Sequence, residues 1–274
     1  PTDEILYSAI KSNCFPIIDY IWTNLSYYNQ SIDFYNIYLL LAANNSSEMF
    51  TLITTKYPLE ESKKCVGTLQ YLEIICTACS NCNLKVVEVF TDLLLALDPH
   101  IAFTTPFTTA LSQRSAPICE LFLNKNVTLD LLEISTQTDV IDLSNGMFVP
   151  ILFEKADKSI RRQVFYSFLF TFISTSLNEN HKPNLLKLLS SYQSDELTSL
   201  LKENSQNSPI VYAAYQGNDV AFNTFLEYLG DDISAHVEQI NHGIQLIIEE
   251  CSESERSEKT RTIFSRVQGI QSLL

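Results

Sequence analysis

The chain has 274 residues, with 18 Lys and Arg against 32 Asp and Glu, a formal net charge of −14 at pH 7. Duplex nucleic acid and anionic bilayers are bound through basic side chains that release counterions, so this balance weighs against both and favours a partner with a basic surface. Hydrophobic residues make up 46% of the chain, enough for a core, and no low-complexity tract points to disorder. Seven cysteines, an odd number, argue for reduced thiols in a cytoplasmic compartment instead of a disulfide scaffold.

One skeleton recurs along the chain: an apolar anchor, a small residue at +3, a turn near +7, and apolar residues at +12 and +15. It begins with Leu6, Ala9, Asn13, Ile18 and Ile21. Leu39, Ala42, Ser46, Phe50 and Ile53 follow, one residue short in the second half. Ile75, Ala78, Cys82-Asn83, Val87 and Phe90 form the third copy, and Phe107, Ala110, Arg114, Cys119 and Phe122 the fourth. The last clear copy is Ile210, Ala213, Gly217-Asn218, Phe222 and Phe225. Anchors 6, 39, 75 and 107 lie 33, 36 and 32 residues apart, and 107 to 210 is 103, room for two eroded copies.

Each copy describes two short antiparallel helices, neither of which buries its apolar face alone. Ala at +3 lets the two approach closely; a larger side chain there would overpack by roughly 1–3 kcal/mol. The expected fold is therefore all-α, a solenoid of stacked antiparallel helix pairs with about five clear and up to two degenerate repeats. It occupies 1–230 as a single array, degenerate around 127–207, with a helical cap at 231–274.

Ser208-Pro209-Ile210-Val211-Tyr212-Ala213 and Thr105-Pro106-Phe107-Thr108-Thr109-Ala110 resemble the ankyrin repeat, whose period is about 33 and whose signature is Thr-Pro-Leu-His-x-Ala. Ser or Thr caps the first helix, and Pro sits where a missing N–H does no harm. No His follows the anchor and only six Gly occur, so the family's hairpin finger is where this chain departs. A tetratricopeptide or HEAT-type solenoid is the alternative. The leucine-rich stretch from Asn184 through Gly217, with a low-Gly composition rich in Asn, Ser and Ile, is similar in style to the ankyrin arrays of effectors that intracellular bacteria place in host cells. That resemblance implies a host-cytoplasmic location.

Cys76-x-x-Cys79-x-x-Cys82 has the thiols for a metal, but on a helix with Cys82 in the turn they spread around the axis; the reading is small hydrophobes. Lys155, Lys158, Arg161 and Arg162 alternate with Glu154 and Asp157, and at helical spacing they form exposed i,i+4 pairs. The apolar run Val164–Ile173 is too short to span a bilayer, and Phe165, Phe168 and Phe172 read as one core-facing stripe. Ser194 is an expected N-cap. Eight carboxylates between Asp231 and Glu258 read as a solvated face, while Ile263, Val267, Ile270 and Leu274 form one apolar stripe of the cap.

No phosphate-cradling glycine loop, nucleophile elbow or zinc-protease motif occurs. The four histidines, His100, His181, His236 and His242, read as solvated groups near helix ends. The expectation is thus a non-enzymatic, monomeric scaffold with no cofactor, binding another protein through a concave face. That face is lined by Lys11, Asn44, Asn45, Ser80, Asn81, Ser112, Gln113, Tyr215 and Gln216, with Tyr215 the anchor because Tyr offers large contact area at low entropic cost. The alternative is a catalytic or metal-dependent protein using Cys76, Cys79 and Cys82 or a Cys/His site.

Overall fold

A computed structural model describes residues 2–24, 33–56, 59–63, 65–192, 197, 201 and 208–230. These residues are all-helical, without strands; an isolated parallel bridge pairs Ala102 with Thr128. None of their helices is long and apolar enough to cross a membrane. The chain divides into two compact units, Pro1–Asp130 and Leu131–Leu274.

The first unit contains α1 (Thr2–Lys11), α2 (Phe15–Asn24), α3 (Phe34–Ala43), α4 (Ser47–Lys56), α5 (Leu59–Ser62), α6 (Thr68–Ser80), α7 (Leu84–Leu97), α8 (Thr104–Ser112) and α9 (Ala116–Asn124). Helix α1 packs on α2, α6 on α7 and α8 on α9, while the first helices touch in series: α1 with α3, α3 with α6, α6 with α8. Phe90 of α7 gathers the rings of Tyr38 at 4.9 Å, Tyr71 at 5.8 Å and Phe50 at 6.0 Å into one cluster. Such edge and tilted contacts add to area burial in holding three helices on a fourth. Exposed ion pairs Lys56–Asp19 and Lys125–Asp92 lie outside this core and contribute little.

The second unit contains α10 (Leu131–Ser135), α11 (Asp139–Asp142), α12 (Phe148–Glu154), α13 (Arg161–Ser174), α14 (Lys182–Ser190), α15 (Pro209–Gln216) and α16 (Asp219–Leu229). Helix α13 packs against α10 and α15, and α16 against α14 and α15. Val164, Phe165, Phe168, Leu169, Phe172 and Ile173 of α13 are all buried, as a helix apolar on most of its circumference must be.

The turn between paired helices is the same object in four copies. Asn13, Cys82, Arg114 and Gly217, each seven residues after its anchor, adopt left-handed φ of 53°, 53°, 54° and 70°. The next N–H then donates to the carbonyl of the small residue: Cys14 to Ala9 at 2.8 Å, Asn83 to Ala78 at 2.8 Å, Ser115 to Ala110 at 2.9 Å, Asn218 to Ala213 at 3.0 Å. This satisfies a carbonyl that the helix end leaves orphaned. Asn83 and Asn218 then cap the second helix, accepting from the N–H of Val86 and of Ala221. Ala9, Ala42, Ala78, Ala110 and Ala213 are all buried, none more than 2% exposed, as expected.

The second copy departs from the expected register. Leu39 is only half-buried, and Tyr38 occupies the interior because its ring fits against Phe90. Its turn is not left-handed: Asn44 is extended, and Ser46 caps α4 by accepting from the N–H of Met49 at 3.2 Å.

The basic cluster also needs correction. Helix α12 ends at Glu154 and α13 begins at Arg161, so residues 155–160 are non-helical and the expected i,i+4 pairs do not exist as helical pairs. Arg161 instead lies 4.4 Å over the Phe153 ring, and Arg162 lies 5.6 Å from the Tyr166 ring. A left-handed turn covers Ser144 (φ 52°), Asn145 (φ 57°) and Gly146 (φ 78°), where Gly146 sits against the buried Phe172 ring. The expected N-cap Ser194 and the cap at 231–274 lie outside the described residues.

Candidate functional site

In the first unit the expected surface residues fall at one kind of place, the C-terminal ends of first helices. Lys11 closes α1, Asn44 and Asn45 follow α3, Ser80 and Asn81 end and cap α6, and Ser112 and Gln113 end and cap α8. Because these four helices touch in series, their ends make a row. Lys11, Asn45, Ser80, Asn81, Ser112 and Gln113 are exposed.

Asn44 is the exception, because its side chain is used within the fold. Its amide donates to the Ile10 carbonyl at 2.6 Å and to Asn13 Oδ1 at 3.1 Å. Asn83 does the same one step on, donating from a buried site to the Leu41 carbonyl at 3.1 Å. These bonds set the ends of α1, α3 and α6 side by side, which a contact pattern alone would not require. Sequence reading offered Asn44 as a surface residue and missed this positioning role; the signal available was an Asn shortly after each of α1, α3 and α6.

Leu69 near the start of α6 was also missed, although at 78% exposure it is the most exposed large apolar side chain described. Four residues on, Glu73 accepts a hydrogen bond from the Tyr35 hydroxyl of α3, and that carboxylate holds the phenol above its ordinary pKa. An apolar tip near a phenol–carboxylate hydrogen bond gives α3 and α6 a mixed contact surface.

In the second unit Tyr215 is half-buried, with its ring 6.4 Å from Tyr212, which in turn meets Phe170 edge-on at 5.4 Å. The next residue, Gln216, is exposed and lines a cleft of about 350 Å³. The cleft's walls are Ile173–Leu177, where the chain leaves α13, and Gln216–Val220, the turn from α15 into α16.

Cys76 is half-buried, Cys79 buried and Cys82 exposed, so the three thiols meet three environments. Burial pushes the Cys76 thiol up to about 11 and raises Cys79 further, which disfavours the thiolate a metal or an electrophile would need. Among the described residues no three His, Cys, Asp or Glu side chains converge as metal ligands would. His100 is exposed, but His181 is buried at 4% exposure, against the expectation of a solvated ring. Its Nδ1 accepts from the Asn178 N–H at 3.1 Å in a tight capping turn, and this local bond draws the ring inward. His236, His242 and Cys251 lie outside the described residues.

Comparison with protein-family models, with curated proteins and with solved structures returned no match.

Proposed function

We propose that this chain is an ankyrin-like solenoid that binds a partner protein along the row of first-helix ends, with no catalytic role of its own. The observation that carries the reading is the recurrence of one left-handed turn seven residues after the anchor at Asn13, Cys82, Arg114 and Gly217, each locked by a bond to a buried Ala. A device repeated at this period argues for a repeat protein, and repeat proteins use their extended surfaces to hold macromolecules. The exposed, mostly uncharged ends at Lys11, Asn45, Ser80, Asn81, Ser112 and Gln113 favour contact through complementary shape and hydrogen bonding. Tyr215 and Gln216 belong to the same reading in the second unit, Tyr215 as an aromatic anchor. The net charge of −14 favours a basic partner, and the composition suits a monomeric cytoplasmic scaffold, acting in a host cell if the effector-like style holds.

The test is quantitative capture from cell lysate with a variant that blocks the row, Asn45→Arg, Ser80→Arg and Ser112→Arg together. A control variant carries Lys85→Glu and Glu120→Lys, on the second helices. Loss of captured protein with the row variant alone is the expected result. Retention with the row variant and loss with the control would assign binding to the other side.

A further inference from the structure

Two positions of the recurrent skeleton, the residue before the anchor and the residue eleven after it, are buried in all four later copies. Ile74 of α6 and Val86 of α7 are 0% exposed, and Pro106 of α8 and Ile118 of α9 are buried. In the second copy Tyr38 takes the anchor's place, and counted from it Ile37 and Met49 fill the same two positions, both buried. Pro209 of α15 and Ala221 of α16 are buried as well. In the first copy the equivalents are Ile5 of α1 and Ile17 of α2, and they are 53% and 42% exposed, with Tyr20 of α2 at 66%.

The difference lies in the neighbours. Helix α3 stands between α1 and α6, and α6 between α3 and α8, whereas α1 has a first helix against it only in α3. Leu6, Ile10, Ile18 and Ile21 of the first pair are buried, so its packing within the described residues is complete, while the side that carries Ile5, Ile17 and Tyr20 stays open. A terminal pair that ends an array carries a polar outer face. This one presents two isoleucines and a tyrosine at positions that the later copies bury. Because the face is built from both helices, a single side chain or strand would leave half of it in water; a helix pair covers it.

We infer that the α1 and α2 face is a docking surface for one further helix pair of the same kind, joined ahead of α1 in the same polypeptide. The inference rests on the repeat reading for the kind of occupant. Stacking would take Ile5 and Ile17 out of water as Ile74 and Val86 are taken out, and that transfer drives the contact. A second copy fits less well, because front-to-front pairing sets the same projecting side chains against one another instead of reproducing the contact made between successive pairs.

The experiment places a second copy of residues 2–33 ahead of residue 2 of the full chain, so that the link between the added pair and α1 keeps the native length. The urea midpoint should rise by about 0.5 M or more over that of the unextended chain. Ile5→Lys with Ile17→Lys in the original pair should remove that rise, yet move the midpoint of the unextended chain by no more than about 0.2 M. An extended chain that gains nothing or unfolds earlier overturns the inference, and so does a double Lys variant that destabilises the unextended chain as much as Ile74→Lys does. Sedimentation velocity of the unextended chain checks the other source: association with concentration, abolished by the double Lys variant, would give the face to a second copy and overturn the inference too. The capture experiment uses neither Ile5 nor Ile17, so a failure here leaves it to decide the protein-binding reading by itself.

Discussion

Asn218 is tied to Ile173 across 45 positions of sequence, its side-chain amide donating to the Ile173 carbonyl at 2.9 Å. The same side chain caps α16 through its Oδ1, accepting from the Ala221 N–H at 3.0 Å. One buried residue therefore satisfies the end of α13 and the start of α16 together. Asn218→Ala should lose the cap, about 0.5–2 kcal/mol, and leave carbonyls short of a donor, a further 1–3 kcal/mol. Asn218→Asp keeps the cap yet presents a carboxylate to three carbonyls, so it should be at least as damaging as Ala. Urea midpoints of the two variants decide this; an Asp variant as stable as the native chain would show that the amide bonds contribute nothing.

Gly146 and Gly217 are both left-handed, with φ of 78° and 70°, but their surroundings differ. A Cβ on Gly146 would lie 2.8 Å from Phe172 Cζ, whereas one on Gly217 would meet nothing within 4 Å. Gly217→Ala should therefore cost only the backbone term, about 1–2 kcal/mol. Gly146→Ala should cost that plus the displacement of a buried ring, another 1–3 kcal/mol or so. Thermal or urea unfolding of both variants tests the ranking, and equal losses would mean that Phe172 yields without resistance.

Arg114 and Cys82 occupy the turn position that Gly217 fills in the last copy, yet both carry a Cβ at left-handed φ. Relief of that strain outweighs the extra chain entropy a glycine loses on folding, so Arg114→Gly should stabilise by up to about 1 kcal/mol. A raised urea midpoint is the expected outcome. A lowered one would place Arg114's value in contacts of its side chain.

The pairs and their turns were legible because a small residue at +3 and a turn at +7 keep their spacing even where the residue types erode. The left-handed backbone at Cys82 and Arg114 was not legible, since neither residue type announces it. Tyr38 displaced Leu39 because a ring cluster around Phe90 was available, a tertiary preference that periodicity ignores. The helix break after Glu154 has no Gly or Pro to mark it, so the charge spacing read as continuous helix. In the candidate site, the row was legible because it lies at helix ends, which the turn signals located. The cleft was not, because it needs residues 173–177 and 216–220 to meet, and no local pattern links them.

Ala213 is fully buried where α15 packs against α13 and α16. Ala213→Leu should overpack that junction by roughly 1–3 kcal/mol and reduce partner capture only as far as it unfolds the chain. Tyr215→Ala, which gives up a half-buried ring beside Tyr212, should lower the midpoint less than Ala213→Leu yet weaken capture by more than that loss of stability explains. Midpoints and capture measured side by side separate the two roles, and a Tyr215→Ala chain that captures normally removes the anchor from the binding surface.

The buried thiols and Tyr38 give the chain an alkaline limit. Burial pushes Cys119 up to about 12 and Cys76 up to about 11 from 9.0, and the Tyr38 hydroxyl up to about 12 from 10.0. In the unfolded chain these groups ionise near their ordinary values, so above about pH 9 the unfolded state binds fewer protons than the folded one. Stability from them is fully present below that pH and is lost as pH rises toward 12. The urea midpoint should fall between pH 8 and pH 10.5, and less so in a Cys119→Ala variant compared with its own value at pH 8. Mass-spectrometric mapping of thiol labelling checks the geometry beneath this: Cys65 and Cys82, both exposed, should react in the native state, and Cys79 and Cys119 only on unfolding. Native labelling of Cys79 at the rate of Cys82 would contradict the packing of α6.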